Sequence, residues 1–224
     1  KIAVERSALF TLESYLSAAA NMFEAVYFHK TVRAAELMLL RILDEVGSQL
    51  FSLPSENPEP FLICDDLMFL NRLLGVSSDE SEEMQNAHSL FDDFRRRNLI
   101  KLTSSRSISD PAFLNRLSTP DGIYGLEKEI ADDAGIDPKH VYIDFPDRPS
   151  VTFYPGRFGF DDLVLFERGS SGYEFWPATE ISLIARSFSR ILKPVRVYTT
   201  RGYRSKLKKS ADRVLESVDV SGSQ

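Results

Sequence analysis

At 224 residues, 43% hydrophobic and 27% charged, the chain has the composition of a globular protein and enough length to bury a core. A net charge of −6 weighs against broad nucleic-acid binding, and the single Cys64 excludes an internal disulfide and any thiolate zinc site. No apolar run reaches the ~20 residues of a membrane span and no signal-peptide pattern is present, so a cytoplasmic protein is expected.

The chain opens KIAVERSALF, without Met and already in helical register, and reads as a piece of a longer protein. Residues 1–48 are predicted as one long helix or two nearly collinear ones, with Gly47 as the stop. Leu9, Leu12, Leu16, Ala19, Phe23 and Val26 recur at helical spacing, and Leu37, Leu40 and Leu43 resume the stripe. The segment also carries a polar set, Tyr27, His29, Lys30 and Arg33, and a second stripe of small residues, Ser14, Ala18, Asn21 and Ala25, leads round to His29. Small residues below an aromatic, an imidazole and two cations leave room for a ligand. His29 and Arg33 share a face, as do Arg33 and Glu36. The competing account is structural: a buried Arg33–Glu36 pair with His29 hydrogen-bonded in the core.

Prolines make Pro54–Pro60 a loop. Cys64, Asp65 and Asp66 read as the N-cap of a short amphipathic helix ending at Gly75. The acidic run 79–83 reads as a solvated loop and a helix N-terminus. That helix runs to about Asn98, with Ala87, Leu90, Phe91 and Phe94 inward and Arg95, Arg96 and Arg97 in its last turn.

After Asn98 strands alternate with helices. Strands are predicted at Leu99–Thr103, Val141–Phe145, Asp162–Phe166 and Val195–Thr199. Helices are predicted at Ile123–Ala134 with Gly135 behind it, at Thr179–Ile191 with a Thr N-cap, and at Tyr203–Val218. The proline- and glycine-containing stretch 147–160 is an extended loop, and Gly169–Gly172 turns the chain. The expected class is α+β: a helical segment over 1–98, a split βαβ, ferredoxin-like subdomain with a four-stranded sheet over 99–218, and a frayed tail at 219–224.

The three histidines, His29, His88 and His140, are scattered, and no HExxH or CxxC occurs, so no metal is expected to be held by this chain. The Asp pairs read as caps and surface. No GxSxG, Walker A or GxGxxG motif is present, and no catalytic residue is assigned. Cys64, beside Phe61, Leu62 and Ile63, reads as a buried structural thiol. The basic stretch Arg196, Arg201, Arg204, Lys206, Lys208, Lys209 and Arg213 offers a phosphate-binding patch centred on Arg201, Arg204 and Lys206, or else a solvated face that offsets the acidic 79–93 region.

VYFHKTVRAAELML (26–39) resembles a segment of the HD-domain phosphohydrolases of the deoxynucleoside triphosphate triphosphohydrolase type. Asp65-Asp66, the passage Arg97–Lys101, VYIDFPDRPSV (141–151) and ISLIARSFSRILKPVRVY (181–198) are similar to later parts of that family. The family's metal ligands, a His, a His-Asp dipeptide and a later Asp, have no counterpart here. The resemblance therefore implies the end of the helical HD core followed by a C-terminal subdomain. A divalent metal such as Mn²⁺ or Mg²⁺ would belong to the parent core, with no cofactor in this chain. It implies a dNTP substrate, with Tyr27 against the sugar, His29 near base or sugar, and Lys30 or Arg33 facing phosphate. A homo-oligomer is expected, without membrane or nucleic-acid partners. The alternative is a non-catalytic nucleotide-sensing or oligomerisation module.

Overall fold

The computed structural model describes residues 2–50, 65–108, 110–145, 163–170, 172–189 and 193–221. The Pro54–Pro60 loop, Cys64 and its apolar neighbours, the 147–160 loop and residues 222–224 of the tail lie outside them, as does the side chain of Phe23.

The elements run β1 (Ile2–Glu5), a 3₁₀ turn (Arg6–Ala8), α1 (Leu9–Met22), a π-helical turn (Phe23–Tyr27), α2 (Lys30–Leu50), α3 (Asp66–Leu74), α4 (Glu82–Arg95), β2 (Lys101–Ile108), α5 (Pro111–Arg116) and α6 (Pro120–Ala134). A 3₁₀ turn (Pro138–His140) leads to β3 (Val141–Asp144), then β4 (Leu163–Gly169), β5 (Gly172–Pro177), α7 (Ala178–Ile181), α8 (Leu183–Ser189), β6 (Lys193–Thr199) and α9 (Arg204–Ser221). The class is α+β, a helical first part followed by a β/α part.

The strands form two three-stranded sheets, ordered β1–β4–β5 and β2–β6–β3. The four-stranded sheet expected from the strand order is therefore divided. Residues 163–169 leave it to pair with β1 in parallel, Ile2 opposite Leu163 and Glu5 opposite Phe166. Helical periodicity was expected from Lys1, but the first residues are a strand. Their partner lies some 160 positions away, which no local pattern reports. Strand β5, absent from the sequence expectation, pairs antiparallel with β4 across the Gly169–Gly172 turn.

Local caps follow their chemistry. Asp65 accepts from the Met68 amide, Ser81 from Met84 and Thr119 from Gly122. Gly135 takes φ 59°, the left-handed conformation that ends α6. Thr179 is not a cap: β5 runs into α7 at Pro177, which makes no side-chain cap bond. Gly47 does not stop α2 either, which continues to Leu50. Val46, fully buried with Ile42 against Leu73, Met84, Ala87 and Phe91, holds that turn against glycine's propensity.

The β2–β6–β3 sheet is the centre of the molecule. Alternate residues Val141, Ile143, Val195 and Val197 face α6 and α9 in the largest core cluster. The intervening Tyr142 and Tyr198 pack with Ala34 and Met38 of α2 on the other side. A register shift between Leu102 and Ser104 marks a bulge in β2. A smaller core joins Leu12 and Leu16 of α1 to Leu163, Leu165, Ala178 and Ala185. Among the described residues no helix is long and apolar enough to cross a membrane.

Candidate functional site

Helix α2 carries the candidate site at its start and its anchors along one face. Its buried stripe is Ala34, Met38, Ile42 and Val46, one residue every four, whereas Leu40 and Leu43 of the expected stripe are exposed. Ser14, Ala18, Asn21 and Ala25, the small stripe expected to leave room for a ligand, are all exposed on α1 and the π-turn. Tyr27 (53% exposed), His29 and Lys30 are exposed as well. His29 is thus not a core histidine. It stands immediately before α2, its carbonyl accepting the Arg33 amide at 3.0 Å and its Nδ1 accepting the Thr31 amide at 3.3 Å.

Arg33 points the other way, into the protein. Its Nε donates to both oxygens of Asp144, at 3.1 and 3.2 Å, and its Nη2 donates to Oδ1 at 2.6 Å. Its Nη1 also pairs with Glu36. The expected Arg33–Glu36 pair exists, but as the outer half of a larger network whose centre is the fully buried Asp144. Strand register sets Asp144 opposite Arg196 on β6. Arg196 Nη1 lies 3.8 Å from Asp144 and donates to the Phe28 carbonyl at 2.7 Å. Burial works against the Arg33 charge, but the bond and charge of Asp144 outweigh it, and the guanidinium is held above its ordinary value. Burial pushes the neighbouring Tyr198 phenol up to about 12, with the Asp144 charge adding to the effect.

Two turns further along α2, Arg41 repeats the arrangement. Its Nη2 donates to both carboxylate oxygens of Glu127 on α6, at 2.7 and 2.6 Å. Glu127 also accepts the Ile143 amide at 3.0 Å. The Arg41 guanidinium lies over the rings of Tyr124 and Tyr142, 5.1 and 4.9 Å from their centroids. These groups floor a cleft of about 160 Å³ walled by Leu37, Leu40 and Ile123, with Asp44 at its rim. Burial pushes the Glu127 carboxyl up, while Arg41 and the Ile143 amide pull it back. Sequence reading passed over Arg41, Glu127 and Asp144. The available signal was the eight-residue spacing of Arg33 and Arg41, which puts both on one face of one helix.

The residues of the basic stretch have different surroundings. Lys206 donates to the Gly135 carbonyl at 2.8 Å and so closes the end of α6. Arg213 pairs with Asp133 at 2.8 Å, and Arg196 belongs to the α2 network. Arg201, in the turn before α9, and Arg204, its first residue, are exposed and form no ion pair with another described residue. Among the described residues no three His, Cys, Asp or Glu side chains gather closely enough to hold a metal ion.

A family model described as an HD associated region matches residues 1–161. No curated protein matches the chain. Among solved structures, the fold is similar to a hypothetical protein from Aquifex aeolicus, at 19% identity and a TM-score of 0.59 over 94% of this chain and 47% of that one. It is also similar to a phosphohydrolase from Bacteroides thetaiotaomicron, at 21% identity and a TM-score of 0.53 over 89% of this chain and 52% of that one. At these identities the likeness is one of fold. The chain spans about half the length of both.

Proposed function

The chain belongs to the HD associated region family, and on that premise we propose that it forms one wall of the substrate pocket of a longer, metal-dependent HD-type hydrolase of deoxynucleoside triphosphates. The fold shared with the Bacteroides phosphohydrolase supports the hydrolase class. The observation that carries the reading is the outward turn of Tyr27, His29 and Lys30, seated on Arg33, which is fixed from beneath by Asp144. Such a turn leaves an aromatic ring, an imidazole and a cation exposed while its backbone is held, as a preorganised binding wall requires.

In this reading Tyr27 stacks against the sugar, His29 hydrogen-bonds base or sugar, and Lys30 meets phosphate charge. Arg33, already committed to two carboxylates, holds the turn. The described residues do not provide the donor set for a divalent metal. A metal would come from the parent core, where it would supply the activated water, and this chain's part is to bind and orient. The exposed apolar residues Phe10, Tyr15, Met22 and Val26 along α1 and the π-turn suit burial against that core or a second copy.

The test is dNTP hydrolysis by the longer protein with Mn²⁺ or Mg²⁺. Tyr27→Ala and His29→Ala are each expected to lower kcat/KM by about tenfold or more. Unchanged kinetics would remove the site assignment, and inactivity towards every dNTP would overturn the function.

One observation favours the non-catalytic alternative. Arg204 opens α9, where the helix dipole disfavours cations, and Arg201 lies in the turn just before it, so a bound phosphate would relieve them. Calorimetric titration of this chain with dGTP and dATP separates the readings. Binding lost in Arg201→Ala or Arg204→Ala but kept in His29→Ala would favour a sensing module.

A further inference from the structure

The Phe28 carbonyl lies at the junction where the π-turn has ended and α2 begins at Lys30. Carbonyls at such junctions fall outside the regular helical ladder and need partners from elsewhere. Here a donor comes from β6: Arg196 reaches it at 2.7 Å. A few residues later, Arg33 is clamped by Asp144, the cross-strand partner of Arg196. The two anchors straddle His29, whose own carbonyl accepts the Arg33 amide. Asp144 is fully buried, so water cannot replace its arginines. On the α1 side, by contrast, Asn21, Met22 and Ala25 are exposed.

We infer that Arg196 and Asp144 are positioning residues for the Tyr27–Lys30 turn, so that the β2–β6–β3 sheet, rather than α1, sets where the pocket wall stands. The importance of the turn rests on the function proposed above, but the mechanical link does not. Neither residue touches the ligand; each acts through the backbone that carries Tyr27 and His29. The arrangement makes the pocket wall respond to whatever displaces β6.

Hydrogen–deuterium exchange on the full chain, without nucleotide, tests the link. Arg196→Met keeps the aliphatic stem and removes the donors. It should speed exchange of the amides at 24–31 about tenfold or more, the loss expected for a hydrogen bond from a charged group. The amides of Ile143 and Val197 should keep their protection, and Arg196→Lys, which retains one charged donor, should restore most of it at 24–31. Unchanged exchange at 24–31 in Arg196→Met would overturn the inference. So would acceleration spread evenly over the sheet, or a lysine variant that behaves like methionine. Asp144→Asn, which keeps the side-chain volume, supplies the same reading if Arg196→Met does not fold. Because no nucleotide is present, failure of the nucleotide reading leaves this result standing, and its own failure leaves nucleotide binding untouched.

Discussion

The two three-stranded sheets share a size but not an environment. In β2–β6–β3 both faces are covered: aliphatic residues meet α6 and α9, and the Tyr142, Asp144, Arg196 and Tyr198 face meets α2. Among the described residues, β1–β4–β5 is covered on one face only, by α1, α7 and α8. The other shows a cluster of aromatics, Phe166 with Tyr173 and Phe175, the last two 60% and 59% exposed. Double coverage turns polar residues into structural parts, because a buried charge must be paired in place. Single coverage leaves apolar residues available to a partner. The proposed pocket wall is attached to the first kind of sheet, which gives the turn at His29 a rigid base.

The largest expected effect tests that contrast directly. Asp144→Ala removes the shared partner of two partly buried arginines and should cost about 3–5 kcal/mol in urea denaturation. A loss near that of a surface substitution would show that the covered sheet tolerates unpaired charge and would break the comparison. A smaller, pH-dependent effect is expected where this sheet begins. His140 precedes β3, stacks on Tyr203 at 4.6 Å and lies 3.0 Å from the Thr200 hydroxyl. Burial lowers its pKa, with Lys139 adding to the effect and Asp137 opposing it. A histidine with a lowered folded pKa takes up protons more readily when unfolded. Its contribution to stability is therefore complete above about pH 6.5 and is lost as pH falls through the folded value. The melting temperature should drop further on acidification in the natural chain than in His140→Gln; parallel curves would remove the assignment. The smallest effect on stability belongs to the open sheet. Phe175→Ser should change unfolding free energy by no more than about 0.5 kcal/mol while reducing self-association in sedimentation. A large loss of stability would mean that the aromatic face is already part of a core.

Much of the local structure was legible because it depends on neighbours in sequence. The caps at Asp65 and Ser81, the Gly135 stop, and the inward Ala87 and Phe91 of α4 follow rules that act within a few residues. The candidate turn was legible too, as an odd set of polar residues in a long helical pattern, although its direction was not. The face of α2 that turns inward is set by what it packs on, and the sheet receives Ala34, Met38 and Arg33 rather than Leu40 and Leu43. The partners of Arg33 and Arg41, Asp144 and Glu127, lie 111 and 86 residues away. No periodicity relates such distant positions.

By itself, then, the sequence determined the α+β class, the presence of α3, α4 and α6 though not of α5, and the family resemblance of the VYFHKTVRAAELML segment, since each is written in short-range pattern. Tertiary structure decided that residues 2–5 form a strand, that 163–169 leave the central sheet, that Lys206 meets the last turn of α6, and that Arg33 faces a buried aspartate. Those outcomes depend on strand pairing and on the cost of burying charge unpaired, and both are settled only when distant segments meet.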